Sequence, residues 1–136
     1  MTKDLMEKAE KALASARLLL EANDSDGAVN RAYYAMFDGA MAALSWAGIR
    51  DHHKTHGGLI GGFGRHLVQA GHLAPEFGRS FNRIQELRLT GDYLTIPVPM
   101  DKARAAVQEA AAFVDAIQSL LRTPPLLPPD RRQRRQ

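Results

Sequence analysis

Apolar residues recur along this chain at intervals of three and four, the spacing that places side chains on one face of an α-helix. The first such series predicts a helix from about Thr2 to Ala22. Its apolar members are Leu5, Ala9, Ala12, Ala16 and Leu19. The polar segment Asn23–Gly27 predicts a turn, and Ser25 or Asp26 is expected to cap a second helix that ends near Gly48.

A third helix is predicted from a cap at Thr55 to about Gly71. Five glycines lie within it, at positions 57, 58, 61, 62 and 64. Each glycine costs about 1 kcal/mol relative to alanine inside a helix. We therefore expect this helix to be frayed, mobile, or packed closely against another backbone.

Two further helices complete the pattern. Pro75 suits the first turn of a fourth helix, for which Gly91 is the expected stop. After the proline-containing connector Ile96–Pro99, a fifth helix runs from about Met100 to Leu121. Together the five helices predict an all-α, antiparallel up-and-down bundle of four to five helices over residues 1–122, followed by a disordered tail rich in proline and arginine at 123–136.

Composition narrows the range of functions. The chain of 136 residues contains no cysteine, which excludes disulfides, thiol nucleophiles and thiolate metal sites. No apolar run approaches the roughly 20 residues that span a bilayer, and the charged start predicts no signal peptide. We expect a soluble, cytoplasmic protein without a membrane partner. The net charge of +3 comes from the tail, whose four arginines oppose one aspartate.

Arg88 is the first candidate for chemistry. It lies four residues after Ile84 and seven after Phe81, at the edge of the buried stripe of the fourth helix. A guanidinium stays charged, so it requires an acceptor there, and Asp92 can supply one from the same face. Either the pair only closes the helix end, or the arginine is presented to a phosphate.

A second polar stripe lies on the predicted second helix. Asn30, Tyr34 and Asp38 repeat every four residues beside the apolar face. Such a stripe favours a partner helix, a second subunit or a ligand, whereas half-buried core tyrosines are the alternative interpretation.

The histidine-rich segment Asp51–His56 raises the possibility of metal binding. His52, His53 and His56 form a dense set of ligand types, but the segment follows no known zinc motif. We therefore predict no metal site and no cofactor, and keep metal-dependent hydrolysis as a minor alternative.

Three blocks of this sequence resemble the HEPN domain family, in the branch of small stand-alone bacterial and archaeal proteins. The blocks, in order, are Arg31–Phe37 (RAYYAMF), Lys54–Ile60 (KTHGGLI) and Glu86–Tyr93 (ELRLTGDY). The resemblance runs from about Leu5 to Leu121. It implies a helical bundle that commonly forms a dimer with its cleft between subunits. It also implies a metal-independent ribonuclease, often a toxin encoded beside a nucleotidyltransferase.

The catalytic pattern implied by the resemblance is an arginine followed, after four to six residues, by a histidine. Arg88 matches the arginine, but no histidine follows His72, and Tyr93 stands where the histidine is expected. A phenol with a pKa of about 10 is a poorer general base than an imidazole near 6.5. Whether the chain is an enzyme is therefore left open.

Taken together, the sequence predicts a HEPN-type protein that binds RNA or a nucleotide, in a toxin–antitoxin-like pair with a nucleotidyltransferase. The predicted catalytic residues are Arg88, Asp92 and Tyr93. The predicted residues for RNA or nucleotide binding are Asn30, Arg31, Tyr34 and Asp38. A homodimer is expected. The alternative is a non-catalytic protein–protein interaction module, and in a variant Tyr93 accepts a nucleotidyl group from the partner.

Overall fold

The computed structural model describes residues 2–49 and 55–126 and confirms an all-α bundle. Its helices are α1 (Thr2–Glu21), α2 (Ser25–Trp46), α3 (His56–Phe63), α4 (Pro75–Tyr93) and α5 (Met100–Leu121). A π-helical turn, Gly64–Val68, continues directly from α3. In the described ranges no residue lies in a β-strand.

Helix α2 is the centre of the bundle, because each of the other helices packs against it. The pattern of its sequence explains this position. Thirteen of its 22 residues are buried, and many of these are alanines or glycine, whose small side chains let neighbouring helices approach closely. The larger buried side chains Tyr33, Met36 and Leu44 fill the remaining space.

An aromatic cluster joins α3, α4 and α5 beneath α2. The rings of Phe63, Phe81 and Phe113 lie with their centroids 5.1–5.6 Å apart, and all three are fully buried. Phe81 also approaches Tyr33, with 5.9 Å between ring centroids. This cluster fixes α4 against α2 at the level where the polar residues of the two helices meet.

The start of α2 and the end of α4 differ from the sequence predictions, and the third helix ends before the predicted Gly71, at Phe63 with a π-helical turn to Val68. Asp24, rather than Ser25 or Asp26, caps α2, since its carboxylate accepts the N–H of Gly27 at 2.9 Å. Gly91 does not end α4, which continues to Tyr93. Instead Gly91 permits a close approach, because a Cβ added there would lie 3.0 Å from the Asp26 carboxylate. That carboxylate accepts the N–H of Val98 at 2.9 Å and so ties the connector after α4 to the start of α2.

The third helix begins as predicted, with the Thr55 hydroxyl accepting the N–H of Gly58 at 2.9 Å. The expectation that its glycines pack closely against another backbone is wrong for three of them. A Cβ added at Gly57, Gly61 or Gly64 would meet no neighbouring atom within 4 Å.

Replacing Gly61 with alanine is therefore expected to raise the free energy of unfolding by about 0.5–1 kcal/mol, because the unfolded chain loses freedom and the added methyl group meets open space. Gly91→Ala is the control: its methyl group would be crowded by Asp26 and Val98, so the gain should be smaller or absent. Urea unfolding of both variants measures the difference. A Gly61→Ala protein no more stable than Gly91→Ala would contradict this account.

The chain beyond α5 is held to α2 as far as Leu126. The Trp46 indole N–H donates to the carbonyl of Thr123 at 3.2 Å, and the Leu126 N–H donates to the Trp46 carbonyl at 3.0 Å. Residues 127–136, with the arginines of the predicted tail, lie outside the described residues. Across the part of the chain that the structure describes, no helix has the length and apolar character required to cross a bilayer.

Candidate functional site

The Arg88 side chain is buried within the bundle and held by hydrogen bonds to its own helix. The residue is only 9% exposed. Its Nε and one terminal nitrogen donate to the Gln85 side-chain oxygen at 3.1 and 3.0 Å, and the other terminal nitrogen donates to an Asp92 carboxylate oxygen at 3.1 Å. A guanidinium has five N–H donors, so these bonds leave two donors without an acceptor among the described residues.

The guanidinium also lies over two tyrosine rings of α2. Its carbon atom is 4.7 Å from the centroid of Tyr33 and 5.7 Å from that of Tyr34. Cations are attracted to the electron-rich faces of aromatic rings, most strongly where water is excluded. Gln85, Asp92 and the two rings therefore fix the position of Arg88 before any ligand binds.

His56, the first residue of α3, completes this cluster. Its Nδ1 lies 2.7 Å from the Tyr33 hydroxyl oxygen, a hydrogen-bonding distance. The planes of the two rings are nearly parallel, 17° apart, and the ring centroids are separated by 5.5 Å. Because its Nδ1 lies at the Tyr33 hydroxyl, the imidazole contacts the oxygen end of that side chain, while the Arg88 guanidinium lies over the ring. His56 is partly exposed, whereas Tyr33 is fully buried.

The charges of the cluster follow from burial and from Arg88. Burial raises the pKa of Tyr33 well above its ordinary value, with the Arg88 charge opposing, so the phenol stays protonated. Burial, followed by repulsion from Arg88, lowers the pKa of His56 below its ordinary 6.5. At neutral pH the site thus combines a fixed cation with an uncharged imidazole.

Three of the four predicted binding residues of α2 line one pocket beside this cluster. Arg31, Tyr34 and Asp38 share a pocket of about 380 Å³ with Lys8 and Lys11 of α1. Tyr34 connects it to the cluster, since the Arg31 guanidinium carbon lies 5.4 Å from its ring centroid.

The acid in this pocket is perturbed by its surroundings. Burial raises the pKa of Asp38 from its ordinary value, against the opposing charges of Lys8 and Arg31. Three cations against this one carboxylate make the pocket basic. Asn30 is half-buried, and its side chain makes no hydrogen bond with the described residues.

Tyr93 lies apart from Arg88. Because α4 continues to Tyr93, a five-residue separation turns the two side chains roughly 140° from each other around the helix axis. Asp92, one residue earlier, pairs with Arg88, while Tyr93 is 77% exposed. The proposal that Tyr93 supplies the catalytic proton acceptor therefore gains no support from this geometry and stays a prediction.

The metal hypothesis concerns residues that the structure describes only in part. His52 and His53 lie outside the described residues. Among the described residues, no group of three or more histidine, aspartate or glutamate side chains is arranged to hold a metal ion. The described His56 uses Nδ1 to contact Tyr33.

Sequence reasoning missed the placement of His56 and Gln85. Gln85 could have been found, because it lies three residues before Arg88 and so shares its face of the helix. His56 could not, since 22 residues separate it from Tyr33 and only the packing of α3 on α2 brings the two together.

Comparison with known proteins gives one family over nearly the whole chain. The family described as HEPN domain matches residues 2–120. A protein of Methanocaldococcus jannaschii named "Putative toxin" is 36% identical over 118 residues, which cover 87% of this chain and 87% of the relative.

Two bacterial relatives agree with this result. A UPF0332 protein of Thermotoga maritima is 34% identical over 115 residues, which cover 84% of this chain and 86% of that protein. A UPF0332 protein of Gloeobacter violaceus is 42% identical over 90 residues, which cover 66% of this chain and 70% of that protein.

Proposed function

This chain belongs to the HEPN domain family, and on that premise we propose that it is a toxin-type protein that binds RNA at Arg88 and cleaves it without a metal ion. The observation that carries the proposal is the fixed position of Arg88 with two uncommitted N–H donors. Guanidinium N–H donors bind the oxygens of phosphate groups through charge-assisted hydrogen bonds.

The surroundings of Arg88 support a nucleic-acid ligand in two further ways. The basic pocket of Lys8, Lys11 and Arg31 adjoins it through Tyr34 and offers charge to a neighbouring phosphate. The half-buried Tyr34 ring offers an aromatic surface of the kind on which unpaired bases stack. A single-stranded RNA fits both features, whereas a free nucleotide uses only one phosphate subsite.

The name of the archaeal relative, "Putative toxin", supports a place in a toxin–antitoxin pair. We propose a nucleotidyltransferase as the protein partner and a homodimer as the functional form, as the sequence resemblance implies. Both are independent of the Arg88 geometry, so a monomeric protein would leave the RNA-binding proposal standing.

Arg88→Ala is expected to weaken RNA binding by roughly 10- to 100-fold, because charge-assisted hydrogen bonds contribute about 1.5–3 kcal/mol. The measurement is fluorescence anisotropy of a labelled, mixed-sequence single-stranded RNA in excess EDTA, over a range of salt concentrations. Loss of one phosphate contact should also reduce the slope of log affinity against log salt by about 0.7.

Arg79→Ala is the matched control, since it removes an exposed arginine from the same helix. It should change the affinity by less than about threefold, because a distant exposed cation contributes only through long-range attraction. Equal affinity of wild type and Arg88→Ala for RNA would refute the proposal. Binding of a mononucleotide but not of RNA would reassign the site to a nucleotide.

The alternative function is a protein–protein interaction module, and one observation favours it. Leu89, Tyr93, Leu94 and Ile96 are large apolar residues exposed at the end of α4 and in the connector that follows. Exposed apolar patches of this kind mark contact surfaces. Co-purification of a partner protein, with no RNA-binding defect in Arg88→Ala, would favour this alternative.

A further inference from the structure

Arg88 is the proposed phosphate-binding cation, and the Asp92 carboxylate on the same helix face is already paired with it. Cleavage of RNA without a metal requires a group that takes the proton of the ribose 2′-hydroxyl while another stabilises the negative charge that develops on the phosphorus centre. Tyr93 is separated from Arg88 by roughly 140° around the axis of α4, so the two side chains do not share a helix face. The described residues around Arg88 offer one titratable side chain whose ordinary pKa lies near neutrality, which is His56 of α3.

We propose that His56 is the general base of this site and acts with Arg88 across the edge of the Tyr33 ring. The inference rests on the proposed ribonuclease function and names the residue that performs its proton transfer. It replaces a base contributed by α4 with one contributed by the start of α3.

The geometry supports this role in three respects. First, Tyr33 contacts both groups, with its hydroxyl on His56 and its face under Arg88, so one rigid, fully buried ring sets their separation. Second, the imidazole is partly exposed, so a substrate can reach it, while the ring that holds it is inaccessible. Third, the Thr55 cap fixes the first turn of α3, on which His56 lies.

The proposed base is Nε2, the imidazole nitrogen that the Tyr33 hydroxyl does not contact. In the tautomer whose Nδ1–H donates to the Tyr33 oxygen, Nε2 carries the lone pair and is the base. When Nε2 takes a proton, the resulting imidazolium keeps the same hydrogen bond to Tyr33. The buried phenol thus supplies an oxygen that accepts from the charged form and keeps the ring oriented.

The proposed step balances as a transesterification. Nε2 of His56 takes the 2′-hydroxyl proton, and the 2′-oxygen forms a bond to the adjacent phosphorus. The bond from phosphorus to the 5′-oxygen breaks, and the leaving 5′-oxygen takes a proton from water. The hydroxide so formed takes the proton from the His56 imidazolium, which restores the neutral base. The two uncommitted N–H donors of Arg88 face the phosphate oxygens on which charge increases. The products are a 2′,3′-cyclic phosphate and a 5′-hydroxyl end.

The test is cleavage of labelled mixed-sequence RNA in excess EDTA, with protein in excess over RNA, for wild type, His56→Ala and His56→Gln. Wild type should produce 2′,3′-cyclic phosphate ends. Both variants should cut 100- to 10,000-fold more slowly, the range that loss of a general base gives. Binding of an RNA with 2′-O-methyl groups, which cannot be cut, should stay within about threefold of wild type.

His66→Gln is the matched control, because His66 is also a partly buried histidine and lies on the neighbouring π-helical turn. It should cut at the wild-type rate. Added imidazole should restore part of the activity of His56→Ala and leave Arg88→Ala unchanged. A merely structural role for His56 predicts no such rescue, and the glutamine variant, whose amide can still reach the Tyr33 hydroxyl, keeps the test valid if the alanine variant folds poorly.

The outcomes separate this inference from the proposed function. If wild type cuts and both His56 variants cut equally well, the inference is overturned and the ribonuclease proposal stands. If both variants lose activity and imidazole restores none, His56 is structural and the inference is again overturned. If wild type binds RNA through Arg88 but never cuts it, this inference and the proposed cleavage fall together, while RNA binding remains.

Discussion

Replacing Phe81 with alanine is expected to lower the free energy of unfolding by about 3–5 kcal/mol, the range for removal of a buried aromatic side chain. The Phe81 side chain is fully buried, and its ring packs against the rings of Phe63, Phe113 and Tyr33. The truncation therefore leaves a cavity at the junction of α2, α3, α4 and α5. Few compensating movements are available, because the surrounding rings belong to different helices.

The measurement is urea unfolding followed by circular dichroism. Phe77→Ala is the control, since Phe77 lies one turn earlier on α4 and is only half-buried. Phe77→Ala should lower the free energy of unfolding by clearly less than Phe81→Ala, because the truncation to alanine removes fewer contacts and less buried apolar area there. Equal losses for the two variants would contradict the placement of Phe81 at the centre of the core.

Asp92→Ala is expected to cost about 1–3 kcal/mol of stability, because it removes the carboxylate partner of a buried guanidinium. The side chain of Arg88 is 10% exposed and that of Asp92 is 29% exposed. Arg88 would keep Gln85 as an acceptor but would lose the charge that balances its own. Thermal and urea unfolding, in parallel with wild type, give the value.

Arg83→Ala provides a comparison on the same helix. Arg83 forms an ion pair with Glu109, but its side chain is 58% exposed, so its loss should cost at most about 1 kcal/mol. If Asp92→Ala were no more destabilising than Arg83→Ala, the Arg88–Asp92 pair would behave as a surface pair. The account of Arg88 as a buried, prepositioned cation would then be wrong.

The Asp92→Ala variant also distinguishes two possible roles of the Arg88–Asp92 pair. If the pair only closes the end of α4, Asp92→Ala should lower stability and leave RNA affinity unchanged. If Arg88 binds phosphate, removal of the competing carboxylate should raise the affinity despite the lower stability. The anisotropy measurement described for Arg88→Ala distinguishes these results.

The helices and the inward faces of this protein follow from the sequence alone, because helical periodicity is a local property of neighbouring residues. The start of α3 at the Thr55 cap and the limits of α5 were predicted for this reason. The burial of Arg88 and its pairing with Asp92 follow in the same way, since spacings of three and four residues fix which side chains share a face. The family follows from three blocks in a fixed order.

Tertiary structure decided what the spacing along the chain does not encode. Gly91 suggested a helix end, but contact with Asp26 and Val98 explains the glycine, and α4 continues past it. His56 belonged, by sequence, to a run of histidines with a possible metal role, whereas packing of α3 on α2 places it against Tyr33. Contacts between residues far apart in sequence depend on how whole helices pack, and no local pattern contains that information. The sequence thus determined the helical bundle and the position of Arg88 at the edge of its core. The packing of the helices determined that His56 joins the cluster around Arg88 and Tyr33.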